Sequence, residues 1–234
     1  METEGSERWW WGTLLLSLAL PVALLVHGSA RPLLHAIANA PALEDFGVVP
    51  DFTLTERSGH ALSRADLAGA PWVADFVYTQ CQGTCPLLSA KMAKLERRVA
   101  PDVRLVSFSV DPARDTPDVL AAYAQRFGAS PTTWLFATGE PKALRDLVGK
   151  GFHLAVVDPP PGEPDFAGTI THSEKIVLVD ADLRIRRYYD GASDAWVDEA
   201  IADLAHLGRL SRQRLRSKRP RDQRERSMTD PLTS

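Results

Sequence analysis

Trp72-Val73-Ala74-Asp75-Phe76-Val77-Tyr78 runs without a break into Thr79-Gln80-Cys81-Gln82-Gly83-Thr84-Cys85-Pro86-Leu87-Leu88. The first seven residues form a nearly continuous apolar run, as expected of a central strand buried on both faces. From Pro86 the period changes. Leu88, Met92, Leu95 and Val99 fall on one helical stripe, and Pro86 suits the first helical position. The only two cysteines of the chain therefore sit at a strand-to-helix junction, where free N–H groups and the helix dipole favour a thiolate. A disulfide across three intervening residues would add only about 2 kcal/mol through loop closure. So short a bridge is a poor staple, and the pair reads as a site.

The alternation continues on both sides of this segment. Upstream, Asp51 to Glu56 alternates apolar and polar and meets a Ser58-Gly59 turn, which predicts a small opening hairpin. Ser63 then precedes a short helical turn ending at Gly69. Downstream, Val103 to Val110 predicts a second strand, and Thr116-Pro117 opens a helix with Leu120, Tyr123, Ala124 and Phe127 on one face before Gly128. Trp134 to Ala137 predicts a third strand, followed by a helix led by Pro141. His153, in Gly151-Phe152-His153-Leu154, is expected in a strand by alternation. Asp158 to Thr171 is a long Pro/Gly-rich loop, a length usually kept for function. Lys175 to Asp180 and Arg184 to Tyr189 predict a hairpin, and Ser193 is expected to cap a closing helix. Strands alternating with helices, then a hairpin and a last helix, describe an α/β, thioredoxin-like fold with a mixed central sheet flanked by helices.

At 234 residues the chain has room for one substantial domain and appendages. Trp9 to Val26 carries no charge and is just long enough to span a bilayer, with tryptophans suited to the headgroup region. A cleaved signal peptide ending near Gly28-Ser29-Ala30 is the rival reading, and both export the domain. The expected organisation is a membrane anchor or signal segment over 1–26, a linker over 27–47, the domain over 48–207 and a basic, disordered tail over 208–234. Residues 208 to 234 hold nine Lys/Arg against three Asp/Glu, a net +6, and taking that from the formal −3 leaves −9 on the rest. An acidic domain gives no support to nucleic-acid binding. The tail reads as a solvated end, with anionic lipid or an acidic partner as its alternative contacts.

Three intervening residues, where disulfide oxidoreductases of this fold use two, leave both sulfurs able to face one metal ion. Iron–sulfur clusters and structural zinc sites want four protein ligands, and two thiols do not reach that number. Two thiolates and an imidazole suit copper. Six histidines are candidates for the imidazole. His27 and His35 fall in or beside the N-terminal segment and linker, His60 in the opening hairpin, His153 in its expected strand and His206 on the last helix. His172 stands out because it ends the long loop directly before a strand.

Asp75-Phe76-Val77-Tyr78-Thr79 before Cys81 and Cys85-Pro86, then Ser109-Val110-Asp111-Pro112-Ala113-Arg114-Asp115-Thr116-Pro117, then Thr171-His172-Ser173 ahead of a strand closing on Asp180, resembles the Sco/SenC family of copper-binding cytochrome c oxidase assembly proteins. The resemblance covers about residues 48 to 205. It implies Cys81, Cys85 and His172 as copper ligands and a copper chaperone serving the dinuclear copper centre of the oxidase. It also implies an inner-membrane protein with one span and an extracytoplasmic domain. The implied partners are the copper-accepting oxidase subunit and other exported thiol or copper carriers. The chain departs from many members at Gln80 and Gln82-Gly83, where His and then Pro-Asp are common.

The alternative is a thiol-disulfide oxidoreductase in which Cys81 and Cys85 reduce cysteines of the oxidase subunit or of other exported proteins. His172 separates the two, since disulfide exchange has no use for an imidazole there. A thiol peroxidase would need a guanidinium beside its cysteine, and no arginine is local to Cys81. Between Asp111 and Pro117, Asp115 or Thr116 is expected to cap the next helix while Arg114 pairs locally, with shaping of the copper-site rim as the second reading. Met92 lies on the apolar stripe and reads as core. Asp75 is a candidate buried carboxylate that either tunes the thiols or satisfies a backbone group.

Overall fold

The computed structural model describes residues 43–155 and 174–218, with side chains through residue 211. Residues from Leu43 onward form a compact unit of their own. The N-terminal apolar segment and the loop from Asp158 to Thr171 lie outside the described residues, and among those described no helix is long and apolar enough to cross a membrane.

β1 (Thr53–Glu56) and β2 (Ala61–Ser63) form the expected hairpin, and a 3-10 turn (Arg64–Leu67) follows. β3 (Trp72–Val77) is buried at every position. α1 (Thr84–Glu96) leads to β4 (Arg104–Ser109), α2 (Pro117–Arg126) to β5 (Trp134–Thr138), and α3 (Pro141–Asp146) continues into a π-turn (Leu147–Gly151). β6 (Lys175–Val179) and β7 (Ile185–Asp190) make the second hairpin, and α4 (Trp196–Lys218) closes the fold. The seven strands lie in the order β2-β1-β5-β4-β3-β6-β7. The three central strands are parallel, while β6 pairs antiparallel with β3. The mixed sheet flanked by helices is as expected.

Strand alternation divides the core into two layers. Trp72, Ala74 and Phe76 of β3 join Val106, Phe108, Val177 and Val179 on one face, under Leu144, Val148 and Phe152. Trp72 and Phe152 meet edge to face with centroids 6.1 Å apart. On the other face, Val73, Leu105, Trp134 and Phe136 lie under α1, α2 and α4. Each fully buried large side chain of this kind contributes about 1.5–3 kcal/mol.

Several local expectations are corrected. α1 begins at Thr84, which puts Pro86 at the third helical position, where its missing N–H still costs no intrahelical bond. His153 is in no strand; it follows the π-turn with a left-handed φ of 53°. Ser193 stands three residues before α4 and accepts from the Ala195 N–H (3.2 Å), so it shapes the preceding turn. α4 carries on through Lys218, so its final turns belong to the basic segment that begins at 208.

Candidate metal centre

β3 ends at Val77, whose carbonyl accepts from the Val110 N–H (2.9 Å) just past β4. The chain then turns: the Cys81 N–H donates to the Tyr78 carbonyl (3.3 Å), and Gly83 caps α1. Cys85 falls in the first turn of the helix, where amides lack intrahelical acceptors. Its N–H donates to Cys81 Sγ at 3.5 Å. Both cysteines are free thiols. Cys81 is half-buried and Cys85 only 3% exposed.

The two sulfurs are unequal. Burial pushes the Cys81 thiol up, but the amides of Cys85 and Gly83, the Cys85 thiol and the Tyr78 hydroxyl outweigh it, and the net shift is downward. Burial pushes the Cys85 thiol up to about 12, and negative charge on Cys81 and Asp75 adds to that. Cys81 is therefore the more acidic thiol of the pair and Cys85 the one that holds its proton more tightly.

Asp111 to Pro117 holds the turn in place. Thr116 is the cap of α2, its hydroxyl accepting from the Val119 N–H at 3.4 Å. Asp115 does something else. Fully buried, it accepts from the Thr79 N–H (3.2 Å), the Thr79 hydroxyl (2.6 Å) and the Ser109 hydroxyl (2.6 Å). Thr79 stands two residues before Cys81, so Asp115 ties the entry of the cysteine turn to the end of β4. Arg114 pairs with Asp111 at 2.7 Å, as expected.

α1 is held from its far side. Lys91 Nζ donates to the carbonyls of Gly191, Ala192 and Ser193 (2.9–3.1 Å), which locks the helix to the β7–α4 turn. Gly191 is required there. A Cβ would meet the Glu174 carbonyl oxygen and Leu88 Cδ2 well inside van der Waals contact. Beneath α1, Asp75 is completely buried. Its Oδ1 accepts from the Ser107 hydroxyl (2.5 Å), which accepts from Trp134 Nε1 (2.8 Å). Asp75 Oδ2 has no hydrogen-bond partner among the described residues. Burial raises this carboxyl to about 7.

The chain sets Cys81 and Cys85 on one turn, and His172 lies outside the described residues. β6 runs antiparallel to β3 with Ala74 opposite Val177, so Lys175 enters at the end of the sheet where β3 finishes. Among the other described histidines, His60 contacts Ser58 Oγ (3.1 Å) in the β1–β2 turn, and His153 is exposed beside Phe46 and Tyr188. Among the described residues no three His, Cys, Asp or Glu side chains form a metal-holding group. Met92 is fully buried in the core with Leu88 and Leu95. Thr79, Lys91 and Gly191 escaped the sequence reading. Only the Asp-Pro-x-x-Asp spacing hinted at the Asp115 contact.

The SCO1/SenC family model matches residues 41–208. The SCO1 protein homolog of Bacillus subtilis is 32% identical over 166 residues, covering 69% of this chain and 83% of that protein. The solved structure of BsSco, described as a Sco-family cytochrome c oxidase assembly protein with a disulfide switch, superposes with a TM-score of 0.61 at 30% identity over 71% of this chain and 97% of its own. Bradyrhizobium japonicum ScoI, solved with copper bound, gives a TM-score of 0.57 at 26% identity over 69% and 99%.

Proposed function

Because this chain belongs to the SCO1/SenC family, we propose that it is a copper chaperone whose Cys81, Cys85 and His172 take up one copper ion and pass it to the copper-accepting subunit of cytochrome c oxidase. The domain works on the extracytoplasmic side of the inner membrane, held by the N-terminal apolar segment. The observation that carries this reading is the pair of free thiols on one turn, with Cys85 N–H against Cys81 Sγ (3.5 Å). Soft sulfur donors so placed suit copper, and the copper-bound ScoI structure supports the choice. His172 precedes the start of β6 by three residues, a reach of roughly 10 Å, and β6 begins at the end of the sheet from which the cysteine turn leaves.

This chain's residues prepare the site. Asp115 fixes Thr79, Lys91 fixes α1, and the amides of Gly83 and Cys85 hold charge on Cys81. Cys85 must lose a strongly held proton when it ligates, so copper affinity falls as pH falls. Anaerobic titration with Cu(I) against a competing chelator tests the reading on residues 41–234 and the His172→Ala variant. One-to-one binding that weakens at least a hundredfold in the variant is expected. Binding indifferent to His172 would overturn the ligand set.

The inequality of the two thiols favours a second activity on the same residues. The Cys81 thiolate attacks a partner's disulfide and releases one partner thiolate. Cys85 then gives up its proton and attacks Cys81 Sγ. The second partner thiolate leaves, so that the partner is reduced and Cys81–Cys85 is oxidised. The disulfide switch of BsSco supports this. His172→Ala is expected to leave that exchange within about twofold of the parent rate.

A further inference from the structure

The family match ends at residue 208, whereas α4 continues as helix through Lys218. The helix spans 23 residues, about 34 Å, and its two halves differ in character. The first half is packed into the core by Trp196, Val197, Ala200, Leu204 and Leu207, and its charged positions include Asp198, Glu199 and Asp203. Burial then stops. Leu210 is 38% exposed and Ser211 is exposed. From Arg209 to Arg221 the sequence places seven Lys/Arg in thirteen residues and no Asp or Glu. Arg209, Arg212 and Arg216 are spaced by three and four, which puts them on one helical face. Cations at a helix C-terminus complement the dipole, but that effect fades within the last turn. It does not account for seven.

We propose that the helical extension beginning at Arg209 is a membrane-surface contact that takes anionic phospholipid headgroups. The rest of the chain carries −9, so an anionic surface attracts this segment and repels the remainder. Charge repeated along a helix, with Leu210 and Leu215 as its only apolar residues from Arg209 to Lys218, suits a diffuse planar array of phosphates better than a shaped protein pocket. Four to eight clustered basic residues are the density at which such attraction becomes effective. The proposal draws on the membrane location above only for the presence of a bilayer and not on copper binding.

Residues 43–234 contain the whole sheet and both halves of the core and omit the apolar N-terminal stretch, so they are the form to test. Co-sedimentation is measured with vesicles of equal parts phosphatidylglycerol and phosphatidylcholine, against pure phosphatidylcholine. Binding only to the anionic vesicles is expected, and it should weaken steeply between about 50 and about 500 mM salt. The combined Arg209→Gln, Arg212→Gln and Arg216→Gln variant should lower the partition coefficient on the order of a hundredfold, and a chain ending at Ser211 should not pellet. Both should keep the parent's thermal melt, because Leu207 is the last buried residue among those described. Equal binding to neutral vesicles, or parent-like binding by the triple variant, would overturn the proposal. Retention on immobilised polyglutamate without vesicle binding would also overturn it, assigning the segment to an acidic protein.

Discussion

Two regions of the sheet bury carboxylates, and they treat them differently. In the β1–β2 hairpin, Glu56 Oε2 accepts from the Ser58 N–H (2.7 Å), Oε1 accepts from the Phe136 N–H (3.3 Å), and Arg57 lies 3.5 Å from Oε1. Both oxygens are used. Around the cysteine turn, Asp75 Oδ2 and Asp111 Oδ1 are buried with no hydrogen-bond partner among the described residues. A buried oxygen left without a partner costs stability. The hairpin carboxylate is stitched in place by nearby amides and serves the fold. Around the dithiol Asp115 has both oxygens in use, but Asp75 and Asp111 are each left half-satisfied, and that cost is borne where the chemistry is.

The largest test of this contrast is the pH dependence of Asp75. Its folded pKa of about 7 lies above the ordinary 3.8, so the folded state binds this proton more tightly than the unfolded chain does. Its contribution to stability is full below about pH 4, declines as pH rises and is gone above about pH 7, a span of up to about 4 kcal/mol. Urea melts of the metal-free, reduced protein across that range should show the decline, and Asp75→Asn should flatten it. A variant with the parental pH profile would break the comparison. Next in size, Glu56→Ala leaves the Ser58 and Phe136 amides without acceptors and is expected to cost about 2–3 kcal/mol while copper affinity stays unchanged. A copper defect in that variant would show that the hairpin and the dithiol are not separate in role. Smallest is Asp115→Asn. It keeps the volume but weakens the hold on Thr79, and a fall of about tenfold in Cu(I) affinity with little change in melting temperature is expected. A loss of stability with affinity intact would place Asp115 with Glu56, as a residue of the fold.

Legibility followed the range of the interactions. β3 was readable because an apolar run needs no partner to be recognised, and Thr116-Pro117 because a cap and its first helical residue are neighbours. The cysteines were readable as a site because the strand-to-helix junction is local. Asp115 was misassigned as a possible cap, since its partner Thr79 is 36 residues away. His153 was misread as a strand residue because alternation cannot report the left-handed backbone that follows a π-turn. Ser193 has the right chemistry for a cap but spends it one turn early, on Ala195.

The sequence by itself determined the order of strands and helices, the junction that carries Cys81 and Cys85, and the charge break near residue 208, because periodicity, capping and charge are properties of neighbouring residues. Only the tertiary structure decided that the two thiols are unequal, that Asp115 restrains the turn before Cys81, and that Asp75 lies half-satisfied beneath α1. The last two depend on parallel register, which sets Asp75 beside Ser107 and Val77 beside Ser109, and the first on the deeper burial of Cys85. Burial and hydrogen-bond partners arise when distant segments pack, and no local pattern encodes them.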